Sequence, residues 1–110
     1  MASPTRLRLG DITFTWDSEK HRTNLRKHGI TFVEAATTWL DVLAIEAFDE
    51  GHSGSEDRWL RIGMSVRGAL LVVWSSERAG RKDQVLVRII GARRANRKER
   101  LLYEEAEEED

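Results

Sequence analysis

Positive charge concentrates in one stretch, VLVRIIGARRANRKER (residues 85–100), where Arg88 interrupts an apolar run and Arg93, Arg94, Arg97, Lys98 and Arg100 follow it. A guanidinium is planar, permanently charged and fork-shaped, and so matches phosphate oxygens well. In an extended strand Arg88 shares a face with Leu86 and Ile90, so it must snorkel to water or meet a carboxylate, with Glu46 on another predicted strand as a candidate. Two readings stand: a structural ion pair, or a guanidinium held on a sheet to clamp a phosphate. The basic group opens the predicted last helix, where the macrodipole is already positive. A bound anion or an acidic partner relieves that conflict; a solvated face offset by Glu99 and the acidic C-terminal residues is the plainer reading. Tyr103 follows Glu99 by one helical turn and could bond a phosphate, stack on a base, or simply pack its ring. Lys20, Asn24, Lys27 and His28 recur at helical spacing in EKHRTNLRKHG, as a second wall or as an ordinary exposed face.

Other chemistries find little support. His21, His28 and His52 have no regular ligand spacing, and with no cysteine in the chain a thiolate zinc site, a disulfide and a cysteine nucleophile are all excluded. Ser75 and Ser76 lack a nucleophile elbow, and the glycines form neither a phosphate loop nor a dinucleotide fingerprint. No metal or cofactor is expected. The net charge of −1 hides an asymmetry: residues 104–110 (EEAEEED) hold six acids, and the rest of the chain carries 18 basic against 13 acidic side chains. That acidic end either solubilises the chain or folds back on the basic face. No apolar run approaches the ~20 residues of a membrane span. The N-terminus lacks the apolar core of a secretory signal, so a cytoplasmic location is expected.

The elements that must position these residues are read from periodicity. At 110 residues the chain is expected to form one domain over residues 1–103, followed by the acidic tail at 104–110. LRLGDITFTW reads as two strands joined at Gly10-Asp11, with Ile12, Phe14 and Trp16 on one face. Asp17 or Ser18 caps a helix over roughly 18–28, anchored by Leu25 and ended by Gly29. Thr31 and Glu34 have capping-box spacing ahead of a short helix burying Phe32, Ala35, Ala36 and Trp39. Strands are expected over 42–48, 58–66, 69–75 and 84–92, the last two apolar on both faces, with a hairpin turn at Arg67-Gly68. A last helix spans roughly 94–107, with Leu101 and Leu102 as core anchors. The fold class is α+β, order β-β-α-α-β-β-β-β-α, an antiparallel sheet covered by helices on one side.

Three ordered segments carry a family resemblance. FTWDSEKHRTNLRKHGITFVEA supplies Trp16, Asp17, Lys20, Asn24, Lys27, His28, Gly29, Ile30, Phe32, Glu34 and Ala35. EDRWLRIGMSVRGALLVV supplies Arg58, Gly63 and Gly68. VRIIGARRANRKERLLY supplies Arg88, Ile89, Ile90, Ala92, Arg93, Arg94, Ala95, Glu99, Arg100 and Tyr103. From about Phe14 to Tyr103 the chain resembles the BrnT toxins, the ribonuclease component of bacterial BrnT/BrnA type II toxin–antitoxin systems. Gly91 departs from the pattern, which often has serine there.

The resemblance implies a RelE-like fold, RNA cleavage that stops translation, and neutralisation by a BrnA antitoxin that supplies the DNA-binding module. Operator DNA is then met only through the antitoxin, and the toxin forms a homodimer within the complex. Metal-independent cleavage by 2′-hydroxyl attack on the adjacent phosphate needs a base, an acid and charge stabilisation. On this expectation Arg58 and Arg88 clamp the phosphate with help from Arg93. Glu99 or His28 is the base, and Tyr103 or Lys27 assists the leaving group. Lys20, Asn24, Lys27, Arg61, Arg94, Arg97 and Lys98 hold RNA. The alternative is a non-catalytic nucleic-acid-binding or antitoxin-binding scaffold of the same fold.

Overall fold

The computed structural model describes residues 5–52 and 57–108, without the side chains of His52, Glu107 and Glu108. Residues 1–4, with Pro4, residues 53–56 of the Gly-, Ser- and acid-rich stretch DEGHSGSED (49–57), and the last two acids lie outside the described residues. The elements are β1 (Arg6–Leu9), β2 (Ile12–Thr15), α1 (Ser18–His28), α2 (Phe32–Thr37), β3 (Ile45–Phe48), β4 (Arg58–Met64), β5 (Leu70–Ala79), β6 (Val85–Arg94) and α3 (Arg97–Glu108), with short 3-10 turns at Thr38–Leu40 and Glu50–His52.

Local chemistry explains the boundaries. Gly10 and Gly68 take φ of +60° and +80° in the turns that reverse β1 into β2 and β4 into β5. The Asp17 carboxylate accepts from the N–H groups of Glu19 and Lys20 at 2.8 and 3.0 Å, and Gly29 closes α1 in the left-handed region. Thr31 caps α2 by accepting from the N–H of Glu34. Asn96 and Glu99 cap α3 reciprocally, each side chain accepting from the other's N–H at 2.9 and 2.8 Å.

The six strands form one sheet in the order β1-β2-β6-β5-β4-β3. It is mixed rather than antiparallel, because β2 and β6 run parallel while every other pair is antiparallel. The successive reversals from β3 to β6 leave β6 pointing the same way as β2. Side-chain alternation is identical in both orientations, so the pattern could not reveal it. Helices lie on both faces, not one. Phe14, Trp16, Ile30, Phe32, Ala35, Ala36, Leu71, Val73, Val87, Ile89 and Ala92 form the larger core beneath α2, and α1 lies along β6, bonded to it through Asn24. Tyr103 of α3 packs on the opposite face against Ile62, Leu70 and Val72.

Three expected anchors move. Leu25 is 43% exposed, and the buried residue of α1 is Asn24. Leu101 and Leu102 are 47% and 48% exposed while Tyr103 is buried, since starting α3 at Arg97 turns that residue inward. Residues 104–108 continue α3, so the first acids of the expected tail are helical.

A bulge interrupts β6. Trp74 pairs with Gly91 and Ser75 with Ile89, leaving Ile90 as the extra residue. Arg88 and Arg93 are five apart and in a regular strand would project to opposite faces. Here they pair with Ser76 and Val72, which are four apart on β5, so both arginines reach the α3 face of the sheet. Asn24 holds this irregularity. Its Oδ1 accepts from the N–H of Ala92 at 3.0 Å, and its Nδ2 donates to the carbonyl of Ile30 at 3.0 Å.

Candidate functional site

On the α3 face, one rung of the sheet runs from Arg58 on β4 through Ser76 on β5 to Arg88 on β6. Directly paired residues project the same way, and two strand spacings put the arginine backbones roughly 10 Å apart. That gap suits two guanidinium groups reaching toward one phosphodiester. The next rung of this face holds Trp74 and Gly91, and the one after holds Val72 and Arg93. The Arg93 guanidinium lies 5.1 Å from the centre of a Trp74 ring and makes a two-pronged bond to Glu99, at 2.7 and 2.8 Å.

Three open depressions adjoin here. One of about 570 Å3 includes Asp17, Ser76, Glu77, Arg78 and Arg88. A second, of about 540 Å3, is walled by Lys20, Thr23, Lys27 and His28 of α1 and shares Asp17 with the first. The third joins Asp49, Arg58, Trp74 and Gly91, and shares Ile90 with the second. The bulged segment of β6 therefore sits between the sheet arginines and the basic residues of α1. Asp17 carries the opposite charge at this junction. Its carboxyl is held below the ordinary aspartate value, first by the Lys20 N–H and then, against some desolvation, by Glu19, Lys20 and Arg88.

The structure gathers Arg58, Arg88 and Arg93 on one sheet face, with Lys20, Lys27 and His28 on the neighbouring helix. Other expected residues lie elsewhere or are engaged. Arg61 pairs with Val73 and so faces α2; it is ion-paired to Glu46 and its guanidinium stacks 4.1 Å from the centre of the Trp39 ring. Glu46 is thus the partner of Arg61 and not of Arg88. Arg94 pairs with Leu71 and projects away from Arg93. Arg97, Lys98 and Arg100 are exposed on the first turns of α3. Asn24 uses both ends of its amide inside the fold.

Glu99 and Tyr103 are also committed to the fold. The Glu99 carboxyl is pushed below its usual range, first by Arg93 and, despite some burial, by the Asn96 N–H. A carboxylate so stabilised is a weak proton acceptor. The sign of its linkage is definite: a lowered folded pKa stabilises above the unfolded value and is lost as pH falls through the folded one. Glu99→Gln should therefore cost about 1.5–3 kcal/mol at pH 7, and the two chains should converge in stability at acid pH. Urea unfolding at several pH values measures this.

Tyr103 is 6% exposed and its hydroxyl donates to Asp41 Oδ2 at 2.7 Å. Burial pushes the Asp41 carboxyl up, but bonds from the Met64 N–H, the Tyr103 hydroxyl and the Leu43 N–H outweigh it and the net shift is downward. Tyr103→Phe should lower stability by about 1–2 kcal/mol and leave the cleavage rate per folded molecule unchanged. A rate loss in a fully folded variant would return the hydroxyl to the chemistry.

Sequence reading passed over Trp74, considered Asp17 only as a helix cap and motif residue, and considered Ser76 only as a nucleophile. Trp74 sits in a stretch that reads as plain core, Ser76 lies just past the strand expected at 69–75, and Asp17 is accounted for by its capping role. Gly91 inside a strand was the available sign of a bulge.

The family model described as ribonuclease toxin, BrnT, of type II toxin-antitoxin system matches residues 16–99. The chain belongs to this BrnT family. The match takes in α1, the arginines of β4 and β6 and the Glu99 that holds Arg93, and it stops before Tyr103. In fold this BrnT chain is similar to the 1.1 Å crystal structure of the Brucella abortus ribonuclease toxin, BrnT. The two share 21% identity at a TM-score of 0.54, over 74% of this chain and 94% of that one. No curated protein matches the chain.

Proposed function

We propose that this BrnT-family ribonuclease toxin is a metal-independent endoribonuclease whose substrate phosphate lies between Arg58 and Arg88, and that its activity arrests translation. The observation that carries this is the shared rung of Arg58, Ser76 and Arg88, with Arg93 turned onto the same face by the bulge. The 2′-oxygen attacks phosphorus, the bond to the 5′-oxygen breaks, and a 2′,3′-cyclic phosphate results. The guanidinium groups neutralise charge on the non-bridging oxygens as it develops, the contribution a metal makes in other nucleases. With Glu99 and Tyr103 tied into the fold, proton transfer falls to His28 as base and Lys27 as the leaving-group donor, both on the α1 wall. Lys20, Arg97 and Lys98 guide the flanking backbone.

The proposed partner is a BrnA-type antitoxin that also makes the contact to operator DNA, with two toxin copies in the complex. Exposed apolar side chains support a partner surface: Leu40, Val42 (95% exposed) and Val66 lie outside both cores. We place the fold among the RelE-like toxins and the protein in the cytoplasm. Among the described residues no helix is long and apolar enough to cross a membrane.

One observation favours the scaffold alternative: two of the four candidate proton carriers are engaged in structural bonds. End analysis separates the readings. Incubation of the purified protein with labelled RNA in EDTA should give 2′,3′-cyclic phosphate ends, and substitution of deoxyribose at the cut site should abolish cleavage. Tight RNA binding without new ends would favour the scaffold.

A further inference from the structure

Trp74 occupies the centre of the basic face and has no role in holding a phosphate. It pairs across the sheet with Gly91, and a Cβ built on Gly91 would meet nothing nearer than Asn24 Oδ1 at 3.8 Å. On the β6 side of the indole the rung therefore carries no side chain, while Leu60 fills the β4 side. The space joins a cavity of about 330 Å3 lined by Asp49, Arg58, Trp74, Ile90 and Gly91, at the small end of the range for ligand pockets. Arg93, fixed by Glu99, holds the indole from one side. Two rungs of the same face thus place a flat aromatic surface next to the pair of arginines.

The geometry points to a nucleobase site: the base of a nucleotide next to the clamped phosphate stacks on Trp74 in the space over Gly91. Stacking on an aromatic side chain is the usual means of holding an unpaired RNA base, and Arg58 borders both this cavity and the phosphate rung. The inference rests on the ribonuclease reading for its substrate, but a different measurement decides it.

The test uses the full chain and a fluorescent RNA oligonucleotide made uncleavable by 2′-methoxy groups, together with a set carrying one abasic position each. Trp74 also packs against the smaller core, so Trp74→Leu is paired with Trp74→Phe, and both are checked by thermal melting. Trp74→Leu should weaken binding by about 5- to 150-fold, the range for loss of one stacked base. Trp74→Phe should recover most of it. At one abasic position the Trp74→Leu penalty should vanish, which a merely structural role would not produce.

A penalty equal on every oligonucleotide, or a wild-type affinity indifferent to every abasic position, overturns the base site. The wild-type scan needs no variant and decides the matter even if Trp74→Leu fails to fold. RNA cleavage by the wild type alongside that result leaves the ribonuclease reading standing. The expected stacking pattern without cleavage of unmodified RNA keeps the base site and removes the ribonuclease.

Discussion

Arg88→Ala should lower single-turnover RNA cleavage by about 10²–10³ while leaving the melting temperature within a few degrees of wild type. The two parts of this expectation have separate causes. Arg88 is exposed, and the β6 residues on either side of it, Val87 and Ile89, make the core contacts on the opposite face. Truncation therefore removes a guanidinium without opening a cavity. Arg88→Lys should fall between alanine and wild type, because an ammonium restores the charge but not the paired planar donors. The measurement is cleavage rate at saturating enzyme together with a thermal melt. A folded Arg88→Ala chain that cleaves at the wild-type rate removes Arg88 from the site.

The second large effect is expected far from any substrate contact. Asn24→Leu should destabilise the fold by about 2–5 kcal/mol, because it leaves the Ala92 N–H and the Ile30 carbonyl without their partner in a buried setting. Leucine fills similar space, so the loss reads the hydrogen bonds rather than a cavity. The remaining folded molecules should also cleave more slowly, since the bulge that brings Arg93 onto the face of Arg88 loses the side chain that closes it. Denaturant unfolding gives the first number, and cleavage per folded molecule gives the second. Loss of stability with an unchanged rate would show that Ile90 keeps its place without Asn24.

Much of this was legible in the residues. The caps at Asp17, Thr31 and Gly29 follow from local chemistry alone, and the double-sided apolar runs marked β5 and β6 as central strands, although the helices were expected on one side of the sheet only. Arg88 and Arg93 stood out because charge inside or beside an apolar run demands an explanation. What could not be read depends on pairing. The parallel register of β2 with β6, the face of Arg94 and the union of Arg61 with Glu46 are set by which strand lies beside which. Tyr103 illustrates the same limit. Its spacing from Glu99 was correctly helical, but a phase set by the Asn96 cap sends the ring into the core and its hydroxyl to Asp41. Asn24 was noticed as one polar residue among several, and only the bulge gives it a separate purpose.

A double-mutant cycle on Arg58 and Arg88 tests most directly whether the two act on one phosphate. Single-turnover rates are compared for the wild type, Arg58→Ala, Arg88→Ala and the double variant, with folding checked in each. Two clamps on one group fail together, so each single change should cost most of the rate and the double variant little more than the worse single one. Independent losses that multiply, or singles that retain the wild-type rate, would contradict a shared phosphate.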